Sequence, residues 1–80
     1  TSLKSVKHKV VDYILEKSNV ANSNVIMINE SKEDIAAYLG IPRPSLSREL
    51  IKLRDENIID FDRNSITILK FHELEEKLFD

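Results

Sequence analysis

The chain has 80 residues, a net charge of −2 and no cysteine. That length is one domain's worth, and ordinary apolar content with a single glycine describes a helix-rich globular chain, neither disordered nor collagen-like. The missing cysteine excludes a disulfide framework and thiolate metal sites, and no apolar run approaches the roughly 20 residues a bilayer-spanning helix needs.

A soluble, cytoplasmic protein without a membrane partner is therefore expected, with no signal peptide ahead of the domain. The chain starts directly in helical pattern, as a piece of a larger protein would. Leu3 to Lys17 places apolar residues at Leu3, Val6, Val10, Val11, Tyr13, Ile14 and Leu15, which predicts a first helix. Ser18 to Asn24 is small and polar and reads as a loop, and the β-branched run Val25 to Ile28 reads as a strand.

At Ser31 a second helix begins. Its hydroxyl can accept from a free first-turn N–H, and Glu33 and Asp34 suit the positive end of the helix dipole. The helix carries Ile35, Ala36 and Leu39 and stops at Gly40, a residue able to take φ > 0. Pro42 and Pro44 bar helix until about Arg43 and then suit the first turn of another. That third helix, about 44–56, sets Leu46, Leu50 and Leu53 on one stripe. Ile58 to Phe61 and Ser65 to Leu69 are β-prone runs around a polar turn, a hairpin over about 58–69. Phe71, Leu74 and Leu78 mark a short amphipathic helix at the end.

Helix, tight turn, helix and hairpin make a winged helix-turn-helix: a mainly α fold with a small β-hairpin wing, in one domain over 1–80 with the helix pair at about 31–57. Close crossing of the two helices needs a small side chain, supplied by Ala36 or Ala37. With Leu46 at zero on a helical wheel, Leu50 and Leu53 fall within about 40°, while Pro44, Arg48, Lys52 and Ser45 fall between about 160° and 260°. Glu49 lies beside the leucine stripe. The segment Ile41 to Arg54 carries +3 (Arg43, Arg48, Lys52 and Arg54 against Glu49), leaving −5 for the remainder. One basic helix on an acidic chain suits insertion into a groove rather than whole-surface nucleic-acid binding. A basic helix face is more often simply solvated, but the capped helix, the Gly40 corner and the hairpin favour DNA. The competing reading is a winged-helix module for protein–protein contact, which the acidic remainder would suit.

The run from Ser31 to Ile59 resembles the C-terminal DNA-binding domain of Crp/Fnr-type bacterial transcription regulators. The resemblance lies in Ser31-x-x-Asp34-Ile35-Ala36-x-x-Leu39-Gly40-x-x-Arg43, then Ser45-Leu46-Ser47-Arg48-x-Leu50, then Leu53-x-Asp55-x-x-Ile58-Ile59. It implies that Arg48 reads a guanine, that Arg43 meets base or phosphate, and that Ser45 and Ser47 face the groove. It further implies that Ser31 and Lys32 clamp phosphate, with Arg63 and Asn64 at the wing tip as weaker phosphate contacts. Pro44 departs from members that carry a Glu accepting from cytosine there, so that half-site is not implied; Pro44 is left between a structural and a readout role. The resemblance also implies a preceding cyclic-nucleotide-binding-like barrel with a long dimerisation helix. Its partners would be a palindromic double-stranded operator, a second copy of the full-length protein and RNA polymerase.

No cofactor, metal or catalytic centre is expected in the domain. His8 and His72 read as surface residues, Glu75 and Glu76 as solvated, and Ser45 and Ser47 lack a base. Tyr13, Tyr38, Phe61, Phe71 and Phe79 read as core or its rim. An enzyme is not expected.

Overall fold

The computed structural model describes residues 4–79. The elements are α1 (Val6–Ala21), β1 (Val25–Met27), α2 (Lys32–Leu39), α3 (Arg43–Asp55), β2 (Ile59–Phe61), β3 (Ser65–Ile68) and α4 (Phe71–Glu76), the last running into a single 3₁₀ turn over Lys77–Phe79. This is a winged helix-turn-helix: helices around one apolar centre, with a small antiparallel sheet at the side.

Three helix ends share one device. Asn22, Gly40 and Asn57 each take a left-handed conformation, with φ of 53°, 71° and 61°. Behind each, paired backbone bonds close the last turn: Ser23 to Ser18, Ile41 to Ala36 and Ile58 to Leu53 span six residues, at 3.2, 3.0 and 3.0 Å. These Schellman closures satisfy carbonyls that the helix leaves unbonded. At the opposite ends, Ser5 accepts from the His8 amide and Ser31 from the Asp34 amide, at 3.2 and 3.1 Å. Pro42 caps α3 without a side-chain bond, and Pro44 sits in its first turn, where a missing N–H costs nothing.

The first helix runs further than its sequence pattern predicts. Ser18 to Ala21 continue it, because Ser18 is buried and its hydroxyl donates to the Ser23 carbonyl at 2.7 Å. That internal partner lets a polar residue sit one turn beyond Ile14 without loss. The start predicted at Leu3 lies outside the described residues.

The core is a seam between α1 and α3, closed by the sheet and α4. Val10, Val11 and Ile14 face Leu46, Leu50 and Leu53, with Ile59 and Leu74 completing it. Of the two candidate small residues at the helix crossing, Ala36 is the buried one and Ala37 is exposed.

The hairpin gains a third strand. The order is β1-β3-β2, all antiparallel, with Val25 opposite Thr67 and Met27 opposite Ser65. β3 is thus central, and the run predicted at Val25 to Ile28 forms an outer strand of the wing. Beyond the paired residues, Ile28 donates to the Asn64 carbonyl at 2.7 Å and Ile68 to the Asn24 carbonyl at 2.8 Å.

Several side chains sit elsewhere than expected. His8 is half-buried, and its Nε2 is shielded from solvent with no hydrogen-bond partner among the described residues. It lies on the flank of α1 that turns inward, two residues before Val10. His72 does lie on the surface, 3.5 Å from Glu76. Tyr38 and Phe79 are not core: they are 73% and 86% exposed. Tyr13 is buried, and Phe61 is half-buried.

Candidate nucleic-acid interface

The leucine seam of α3 fixes what its other side presents. Leu46, Leu50 and Leu53 are all but fully buried, so Pro44, Arg48 and Lys52 are turned outward and exposed. Ser45 is half-buried, and its hydroxyl accepts from the Arg48 guanidinium at 3.3 Å. That bond spans three residues along one flank and directs the guanidinium toward the start of the helix. Four further donor hydrogens of the planar fork remain for an acceptor pair such as guanine O6 and N7. Ser47 is half-buried and lies about 100° round the helix from Arg48, on the shoulder of the seam.

Lys52 is less independent than its position suggests. Its ammonium stands 3.7 Å from Glu49, whose side chain is only 13% exposed, so part of its charge is answered from within the helix.

A second group of basic residues gathers at one cleft. Ser31 and Lys32 at the start of α2, Arg43 at the start of α3 and Arg63 at the wing tip line a hollow of about 250 Å³. Glu30 and Asp62 line it too, and their carboxylates offset some of that charge. Ser31 spends an acceptor lone pair on its helix cap, which leaves its O–H free to donate to a phosphate. Arg48, Ser45, Ser47 and Lys52 do not line this hollow, nor does Asn64, which stays exposed at the tip.

The tip is shaped by Asp62. Its carboxylate accepts from the Asn64 amide at 2.7 Å, the Ser65 amide at 2.8 Å and the Ser65 hydroxyl at 3.2 Å. The Asn64 bond above all, with those from Ser65, holds the carboxyl below the ordinary aspartate range. The turn that carries Arg63 is thereby tied down by a residue that periodicity does not single out.

Sequence reasoning also missed a cation-bearing ring. Phe61 in β2 has the Lys32 ammonium 5.4 Å and the Arg54 guanidinium 5.1 Å from its centroid. These three residues come from α2, α3 and the sheet, so no local motif announces them. The ring orders both cations beside the wing, at a worth of about 0.5–1 kcal/mol each at an exposed site.

The described residues contain no grouping of three or more His, Asp or Glu able to hold a metal ion, and none of their helices is long and apolar enough to cross a membrane.

Comparison with known proteins agrees with this geometry. The pattern of the Crp-like helix-turn-helix domain matches residues 8–77. A protein from Eubacterium rectale ATCC 33656, described as a transcriptional regulator of the Crp/Fnr family, is 28% identical with a TM-score of 0.82, over 96% of this chain and 35% of its own. FixK2 from Bradyrhizobium japonicum is 26% identical with a TM-score of 0.83, over 91% and 38%. The catabolite activator protein of Thermus thermophilus, at 22% identity and a TM-score of 0.77 over 92% and 34%, is similar in fold. The chain thus spans little more than a third of these relatives' lengths. Comparison with curated proteins gives no match.

Proposed function

The chain belongs to the Crp-like helix-turn-helix domain family, and on that premise we propose that it binds a specific double-stranded DNA sequence as the reading unit of a transcription regulator. The observation that carries this is the exposed Arg48 guanidinium, on the side of α3 away from the buried leucines and pointed by Ser45. In this reading α3 enters the major groove, where an arginine can pair bidentately with guanine. Ser31, Lys32, Arg43 and Arg63 hold phosphates from the α2–α3–wing cleft, and Asn64 and Lys52 add contacts at its margins. Phosphate contacts set position and base contacts set sequence, so the two clusters have separate tasks.

The domain acts as one half of a homodimer of a longer regulator. Two copies would read half-sites about one helical turn apart, and RNA polymerase would be the downstream partner. Chemistry is not part of the role.

Selection of bound sequences from a random duplex pool, with the complete regulator, gives the site. Titration with Arg48→Ala then tests the reading. Loss of one bidentate contact should weaken binding by about 1–3 kcal/mol, roughly 5- to 150-fold, and relax the preference at one base pair. Lys32→Ala should instead weaken all sequences alike and reduce the salt dependence. Unchanged affinity and preference in Arg48→Ala would refute base reading by this residue.

A further inference from the structure

The molecule has a second built surface, which meets the α2–α3–wing cleft at Glu30 and Ile35 and contains none of the side chains placed on DNA above. Between α1 and α2 lies a cleft of about 350 Å³ whose walls include Tyr13, Tyr38, Glu16, Glu30 and Asp34, with Lys17 at the side. The two tyrosine rings stand 6.2 Å apart at 60°. Aromatic faces and carboxylates share one chemical preference: both attract a cation.

The chain answers that preference in part with its own lysine. The Lys17 ammonium is 5.6 Å from the Tyr13 centroid and 3.9 Å from the Glu30 carboxylate. One ammonium faces three carboxylates, so the cleft retains negative charge. Tyr13 is only 7% exposed, lines the cleft, and has no hydrogen-bond partner for its hydroxyl among the described residues. Burial above all, then the nearby Glu30 charge, pushes its pKa up to about 12, so the hydroxyl remains a neutral donor at physiological pH.

We propose that this cleft receives an arginine or lysine side chain from a protein partner whose surrounding contact surface is apolar. The rim argues for a macromolecule over a free amine: Val20 at 81% exposure and Tyr38 at 73% place apolar surface beside the charged hollow. A buried cation at the centre and apolar contact around it is how binding energy concentrates in protein interfaces. Three carboxylates against one ammonium repel phosphate, whereas the α2–α3–wing cleft sets three cations against two carboxylates, so nucleic acid is not the occupant here. The inference is independent of the DNA-binding reading.

The test is an amide-shift NMR titration of the 80-residue chain with acetyl-Leu-Arg-Leu-amide, its isosteric citrulline counterpart, and spermidine. The arginine peptide should shift Glu16, Asp34 and Tyr38, and the uncharged citrulline peptide should bind at least about tenfold more weakly. Lys17→Met, which removes the internal competitor, should tighten binding about threefold, an effect that a merely structural Lys17 would not give. Tyr38→Ala and Asp34→Asn, both at exposed positions that leave the core intact, should each weaken it. Absence of shifts up to about 10 mM arginine peptide, or equal binding of the citrulline peptide, would overturn the proposal. Spermidine binding as tightly as the peptide would overturn the assignment to a protein partner.

Discussion

Replacing Gly40 by alanine isolates the energetics of the helix-turn-helix corner. Gly40 sits at φ 71°, ψ 36°, and a left-handed conformation costs a residue bearing a Cβ about 1–2 kcal/mol. A steric contribution on top of that is small, since the nearest atom a new Cβ would meet is the Lys9 ammonium nitrogen at 3.9 Å, ordinary contact with a flexible side chain. Alanine also restricts the unfolded chain, which returns about 0.4–1 kcal/mol. The expected net loss is therefore about 1 kcal/mol, within roughly 0–1.6, from a total stability of roughly 4–12 kcal/mol for this length. Urea unfolding followed by helical circular dichroism reads that change as a lower midpoint with unchanged slope. The variant should fold with the same α2–α3 crossing and bind the selected duplex as the parent does. A loss above about 3 kcal/mol would refute the reasoning, because it requires a clash that the geometry denies. A gain would show that the corner is not left-handed.

The same logic predicts that Asn57→Gly, at φ 61° behind α3, raises stability by about 0.5 kcal/mol in the same assay. Asp62 has a folded pKa below its unfolded one, so its contribution is present above the ordinary aspartate range and is lost as pH falls through the depressed folded value. Carboxyl NMR should find its midpoint below the usual range, and Asp62→Asn should remove that step from the acid limb of the stability curve. Tyr13 has the opposite sign: with a folded pKa of about 12 against 10.0, its contribution is whole below 10 and declines as pH climbs toward 12. Tyrosinate absorbance should show a late transition that Tyr13→Phe abolishes.

What could be read from the sequence was what neighbouring residues decide among themselves. The seam of Leu46, Leu50 and Leu53 follows from spacing, the Ser31 cap from one hydroxyl three residues from an amide, and the Gly40 corner from backbone freedom. All are interactions within a turn or two of chain. The pairing of Val25 with Thr67 is of another kind, since periodicity tells which face of a strand is apolar and not which strand lies beside it. Lys32 on Phe61, and Tyr38 beside Tyr13, depend likewise on how separated elements meet. Asn22 and Asn57 are intermediate cases: asparagine tolerates the left-handed region, but it also serves in loops, so its presence alone does not end a helix. Helical spacing sets Lys52 on the exposed flank of α3, while its tether to Glu49 follows only from the side-chain directions in the fold.

Because Ile28 and Asn64 are joined by a main-chain bond, the wing tip is not a free flap hanging from two strands. A brace from the stretch ahead of α2 reaches it, so the approach to that helix is tied to the tip carrying Arg63. On the proposed reading, a duplex would meet jaws braced at this point. A mismatch in groove width would then fall on the DNA as bending, and sequences that bend with little cost would gain an advantage at base pairs no side chain touches.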